Sequence, residues 1–147
     1  MALIGFNFTK INVEKKKSVN GKVNITNNLS FTNITEAKVN FMDKKSALNL
    51  EFDFMCKYEP DVGVINLKGN AIELLEPDKV KECLDKWKKD KKIPSLIAQK
   101  ILNTLLNKCY IESLILSNSM SLPSPIPLPK VRIAEKEKGK IDKKAKK

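Results

Sequence analysis

Histidine is absent from this 147-residue chain. That removes the commonest general base and metal ligand. Arginine occurs once, at Arg132, so the side chain that best reads and stacks on bases is nearly missing. Five glycines stand singly, and none belongs to a glycine-rich loop that could cradle a phosphate. The three cysteines, Cys56, Cys83 and Cys109, are odd in number and widely separated, with no metal-ligand spacing. Each falls on an apolar stripe, which predicts buried free thiols and a reducing, cytoplasmic compartment. No basic stretch leads into an apolar run at the N-terminus, so no signal peptide is expected. The Asn-x-Ser/Thr triplets at Asn7, Asn24, Asn28 and Asn33 then carry no glycosylation meaning. The longest apolar stretch, Leu96 to Leu116, is broken by Lys100, Lys108 and Glu112 and is not expected to span a membrane.

These gaps weigh against an enzyme. Glu51 and Asp53, two apart, lie on one strand face and read as solvated side chains of a lysine-rich sheet rather than an acid/base pair. Cys56 has no visible activating partner. No catalytic residue, metal or cofactor is expected.

What the chain does have is lysine. Twenty-eight basic residues against 17 acidic ones give a net charge of +11. The stretch from Glu135 to Lys147 holds seven lysines and three acids, so +4 belongs to the tail. A basic surface admits nucleic acid, anionic lipid or acidic protein without choosing among them. Lysine enrichment is also a general solubility and thermal-adaptation signature.

The clearest pattern lies between Ala47 and Leu75. Leu48, Leu50, Phe52, Phe54, Cys56 and Tyr58 alternate with Asn49, Glu51, Asp53, Met55 and Lys57, the period of a strand with one buried face. Pro60-Asp61 predicts a turn, Val62 to Leu67 a returning strand, and Gly69 a place where it bends or another backbone comes close. Upstream, Ile4, Phe6 and Phe8 share one parity and Ile11 and Val13 the other, which predicts a bulge near Thr9-Lys10. Asn20-Gly21 then predicts a hairpin to a strand bearing Val23, Ile25, Leu29 and Phe31. An irregular patch is expected near Thr35-Glu36, an extension through Val39 and Phe41, and a turn at Asp43 to Ser46.

After Leu75 the period changes. Glu76-Pro77-Asp78 predicts a helix start. Val80, Cys83, Leu84 and Trp87 recur at spacings of three and four. A charged linker is expected at Lys88 to Lys92, with a second helix from Pro94-Ser95. The apolar positions of that helix (Ile97, Ile101, Leu102, Leu105, Leu106, Cys109, Leu116) cover more than one face, more than one side of a small sheet can bury. Prolines at 123, 125, 127 and 129 then favour an extended polyproline arm lying on the body. The expected architecture is α+β: a four-stranded antiparallel meander, two helices and an extended proline-rich arm. Residues 1–133 form the domain and 134–147 a disordered basic tail.

In order and spacing over residues 3 to 133 the chain resembles the SecB-like export chaperone family, in particular its solitary, ATP-independent prokaryotic branch. The resemblance is carried by Phe52-Asp-Phe-Met-Cys-Lys-Tyr58, Val62-Gly-Val-Ile-Asn-Leu-Lys-Gly69 and Leu122-Pro-Ser-Pro-Ile-Pro-Leu-Pro129. It implies a homo-oligomer, dimer or tetramer, assembled through helices, that holds non-native polypeptide clients in apolar grooves. SecB proper is acidic and delivers clients to the SecA motor through acidic patches; this chain departs from that pattern in being basic. The client-binding candidates are Trp87, Leu96, Ile97 and Ile101, with Leu122, Ile126 and Leu128 of the arm. For Trp87 the competing reading is a ring that closes the first helix onto the sheet. Two alternatives stand beside the chaperone: a basic RNA-binding module, disfavoured because its aromatics share the stripes that must form the core, and a structural subunit of a fixed hetero-complex.

Overall fold

The structure, a computed structural model, describes residues 2–37, 46–129, 136–137 and 140–146. Four long strands, β1 (Ala2–Lys15), β2 (Asn24–Ala37), β3 (Ser46–Glu59) and β4 (Gly63–Leu75), form one antiparallel sheet. They are followed by helices α1 (Pro77–Asp90) and α2 (Ser95–Ser119), which cover one face of the sheet. The α+β fold is the expected one.

The strand order is not. The sheet runs β1-β4-β3-β2, so β1 pairs with β4 and not with β2. The meander and the Asn20-Gly21 hairpin are therefore corrected: Gly21, at φ +75°, turns within a crossover that joins opposite edges of the sheet. A meander would leave β4, with Ile65, Leu67, Ala71, Leu74 and Leu75 all buried, as an edge. It would also place β2, rich in Asn, Ser and Thr, in the middle. The observed order puts the apolar strands in the centre and the asparagine-rich strand at the margin, where its polar groups reach water. The crossover starts by donating the Lys16 N–H to Val62 O at 2.7 Å, and Lys16 Nζ meets Asp61 at 3.2 Å.

Gly69 is what lets β1 lie where it does. A Cβ on Gly69 would run into the carbonyl oxygen of Asn7 and stand 3.0 Å from Phe8 Cα. The register of β1 against β4 shifts between Phe8 and Lys10, at the bulge the parity change predicts. On β2 the irregularity lies between Phe31 and Asn33 rather than at Thr35-Glu36. Val39, Phe41 and the turn expected at Asp43 to Ser46 lie outside the described residues, except for Ser46, which opens β3.

The inner face of β3 (Leu48, Leu50, Phe52, Phe54, Cys56, Tyr58) is fully enclosed, as the alternation requires. Phe6 stacks on Phe52 at 5.5 Å between centroids, Phe8 meets Phe6 edge-on at 4.9 Å, and Tyr110 of α2 meets Phe54 at 5.9 Å. Helix α1 opens with Pro77 in its first turn and buries Val80, Cys83 and Trp87. It runs through Lys88, Lys89 and Asp90, so of the expected charged linker Lys88 to Lys92 only Lys91-Lys92 lies between the helices and the rest is the last turn of α1. Lysine is a good helix former and is favoured near the C-terminal end of the helix dipole. Lys86 pairs with Asp90 at 3.2 Å, and Lys91, at φ 59°, ends the helix. Within the tail, β5 (Lys136–Glu137) pairs with β6 (Lys140–Lys146).

Candidate polypeptide-binding surface

Helix α2 spans about 37 Å at 1.5 Å per residue and runs the length of the sheet. Its first turn lies near Leu75, and its end lies near Tyr58 and Gly63. Its buried row is Ile101, Leu105, Cys109, Ser113 and Ser117, a strict spacing of four. Four residues turn a helix by 400°, so this row drifts about 40° per step and the helix crosses the sheet obliquely. That drift explains why apolar residues appear on more than one face. Ser113 and Ser117, fully buried, supply the small side chains that let the last turns sit close to the sheet.

The oblique crossing leaves large apolar side chains in solvent. Leu96 is 76% exposed, Ile111 60% and Ile115 56%. At 100° per residue these three fall within roughly a third of the helix circumference. Leu96 and Ile97 line a shallow groove with Leu75, Glu76, Lys79 and Lys100, an apolar floor with lysine on its rim.

At the opposite end of the layer, α2 stops on Ser121, at φ 54°, with Leu122 N–H donating to Ser117 O at 2.8 Å and Ser121 N–H to Asn118 O at 3.3 Å. This is a Schellman pair with serine where glycine is usual, and Leu122 follows it as the apolar contact. The arm then crosses the end of the sheet. Tyr58 donates its hydroxyl to Pro123 O at 2.8 Å, and Asn27 Nδ2 donates to Pro125 O at 2.9 Å. Leu122 and Pro125 are buried, Ile126 is half-buried, and Leu128 is 50% exposed.

The seven candidate residues thus separate. Trp87, Ile101 and Leu122 are enclosed by their own chain, Trp87 closing α1 onto the sheet with Lys91 Nζ 5.4 Å from its ring. Leu96 and Ile97 come together at one end of α2, and Ile126 and Leu128 lie at the other. Ile111 and Ile115 were not among the candidates. Their signal was present: two isoleucines four apart, beside serines at 113 and 117 that occupy the inward row.

Burial pushes the thiols of Cys56 and Cys83 up to about 11 and that of Cys109 up to about 12. Tyr58 is also raised, by burial first and by Cys56 second. Phe52 and Phe54 are buried, and Phe6, Phe8 and Phe31 pack half-buried against the same core, so these rings face the helices rather than an open platform. Among the described residues no group of His, Cys, Asp or Glu is placed to hold a metal, and no helix is long and apolar enough to cross a membrane.

No protein-family model matches the chain, and a search of curated proteins finds no match. Among solved structures it is similar to the SecB-like chaperone Rv1957 of Mycobacterium tuberculosis, determined in complex with a ChAD peptide from the antitoxin HigA1 (Rv1956). The TM-score is 0.51 at 12% identity, over 88% of this chain and 90% of that one. The fold is SecB-like.

Proposed function

We propose that this chain is an ATP-independent holdase, a chaperone that binds unfolded or non-native polypeptide on apolar surface left open along α2 and the arm. The observation that carries the reading is the exposure of Leu96 and Leu128 at the two ends of the helical layer, with Ile111 and Ile115 on α2. Single exposed apolar residues are ordinary, but Leu96 beside Ile97, and Ile111 four residues from Ile115, are neighbours on α2, and apolar side chains grouped in this way mark a polypeptide-binding surface. Covering ~400 Å² of client apolar surface contributes about 10 kcal/mol gross, most of it offset by ordering the client. Binding at one patch is therefore modest, and two or more patches engaged by one client strengthen it. The likeness to Rv1957, a chaperone holding a peptide, supports the same reading.

In this reading copies of the chain associate through the same surplus apolar surface, giving a homo-oligomer, and the lysines around the patches favour clients with acidic segments. A link to protein export belongs with the SecB-like fold alone; the net charge of +11 is opposite to the acidic surface of SecB proper.

The test is light scattering of an unrelated denatured enzyme diluted into buffer without nucleotide. The chain is expected to suppress aggregation near stoichiometric ratio, and Leu96→Ser together with Leu128→Ser to weaken it. No suppression, with tight and steeply salt-dependent binding to single-stranded RNA, would replace the holdase with the RNA-binding alternative.

A further inference from the structure

Four prolines, at 123, 125, 127 and 129, deprive the arm of amide hydrogens at every second residue. What holds the arm is its carbonyls. Tyr58 and Asn27, from the inner faces of β3 and β2, each donate a side-chain hydrogen bond to a proline carbonyl, at 2.8 and 2.9 Å. Asn27 can do more than this. Its Nδ2 must face Pro125 O, which fixes the amide orientation, and its Oδ1 is then buried with no hydrogen-bond partner among the described residues. The arm has no N–H at Pro125, and the neighbouring Ile126 N–H turns back to Ser124 Oγ at 3.4 Å. An asparagine amide can grip an extended chain at two points, giving to a carbonyl and taking from an amide. Only the first is used.

We propose that the proline arm is a displaceable cis-occupant of a site for extended, non-proline polypeptide, and that a client segment with free amide hydrogens replaces it on Asn27 and Tyr58. This rests on the holdase reading and names where a client backbone is gripped and what guards that place. The site already seats a run of chain that belongs to no helix or strand, with a bend at Pro125-Ile126. Its grip falls on peptide groups rather than on particular side chains, which suits a binder of many sequences. The arm's own hold is slight: Leu122 and Pro125 are its buried anchors, and beyond Ile126 it stands in solvent. An incoming segment that supplies the missing N–H makes a bond at a buried acceptor that the arm leaves unmade.

The experiment uses the full-length chain and a short fluorescein-labelled peptide alternating leucine and serine, with a control peptide in which proline replaces each serine. Anisotropy reads affinity, and hydrogen exchange reads the arm amides of Leu122, Ser124 and Ile126. The leucine-serine peptide is expected to bind, to accelerate exchange in the arm at saturation, and to bind several-fold more tightly than the proline control. Leu122→Ala, which loosens the arm, is expected to tighten peptide binding several-fold, and Asn27→Leu to weaken it. Exchange in the wild-type arm needs no variant, so a misfolded mutant does not decide the matter. Saturation with unchanged arm exchange, or equal affinity for the two peptides, overturns the proposal while suppression of aggregation leaves the holdase standing. Absence of peptide binding and of suppression together removes both.

Discussion

The hydroxyl of Tyr58, at the end of β3, donates to the carbonyl of Pro123 at 2.8 Å and so ties the arm to the strand at the centre of the core. Tyr58→Phe keeps the ring and deletes that bond together with the hydroxyl's polar contacts to Cys56 and Ser117. The expected loss is about 1 kcal/mol in urea denaturation, with faster amide exchange confined to the arm. A loss spread evenly over the sheet would mean that the hydroxyl serves the core instead.

Gly69 is where β4 admits the backbone of β1. Gly69→Ala sets a methyl group against the Asn7 carbonyl and Phe8 Cα. Backbone cannot step aside as a side chain does, so destabilisation in the upper part of ~1–3 kcal/mol is expected. Retention of the wild-type urea midpoint would show that β1 lies farther from β4 than described.

Exposed and enclosed candidates are expected to differ in what they contribute to stability. Leu96→Ser, in solvent, is expected to change unfolding free energy by no more than ~0.5 kcal/mol. Ile101→Ala, five residues further along α2 and fully buried, is expected to lose about 2–5 kcal/mol. Equal losses at both sites would contradict the oblique seating of α2.

Glu73 is buried on β4, and that burial raises its carboxyl above the ordinary 4.5. The folded chain thus binds this proton more tightly than the unfolded chain does. The stabilisation that proton gives is fully present below about 4.5 and is lost as pH rises through the raised folded value. Glu73→Gln is accordingly expected to be more stable than wild type at neutral pH, with the two curves converging below about 4.5. Parallel stability-versus-pH curves would show that Glu73 is not the group responsible.

Cys56, Cys83 and Cys109 are enclosed, and burial holds each thiol well above neutral pH. An aromatic disulfide reagent at pH 8 is expected to react only at the rate of global unfolding, and with three thiols per chain at once in denaturant. A fast-reacting thiol in the folded protein would reveal local opening of the helical layer.

Period-two alternation in β3 and the proline start of α1 were legible because each is a local signal: neighbours in sequence decide it. The bulge near Thr9-Lys10 and the close approach at Gly69 were legible separately, but not as two halves of one contact, since nothing local says that β1 lies against β4. Asn20-Gly21 misled for the same reason. A tight turn is written into two residues, whereas strand order is decided by which strands can bear a water-exposed margin. Of the seven candidates, Leu96 and Leu128 stand in solvent while Trp87, Ile101 and Leu122 are enclosed, a division that helical spacing alone does not draw. Ile101 lies on the inward row of α2 and Trp87 on the buried face of α1, and which face turns inward depends on how each helix packs on the sheet.

The crossover that carries the chain from β1 to β2 also sets the tempo of its birth. Made before the other three, β1 finds its neighbour only after roughly sixty more residues have been added, because its partner is the fourth strand of the sheet in chain order. Until then Phe6 and Phe8 hang unpaired, so a nascent copy of this chain is for a time the kind of sticky thread that its finished siblings are proposed to hold.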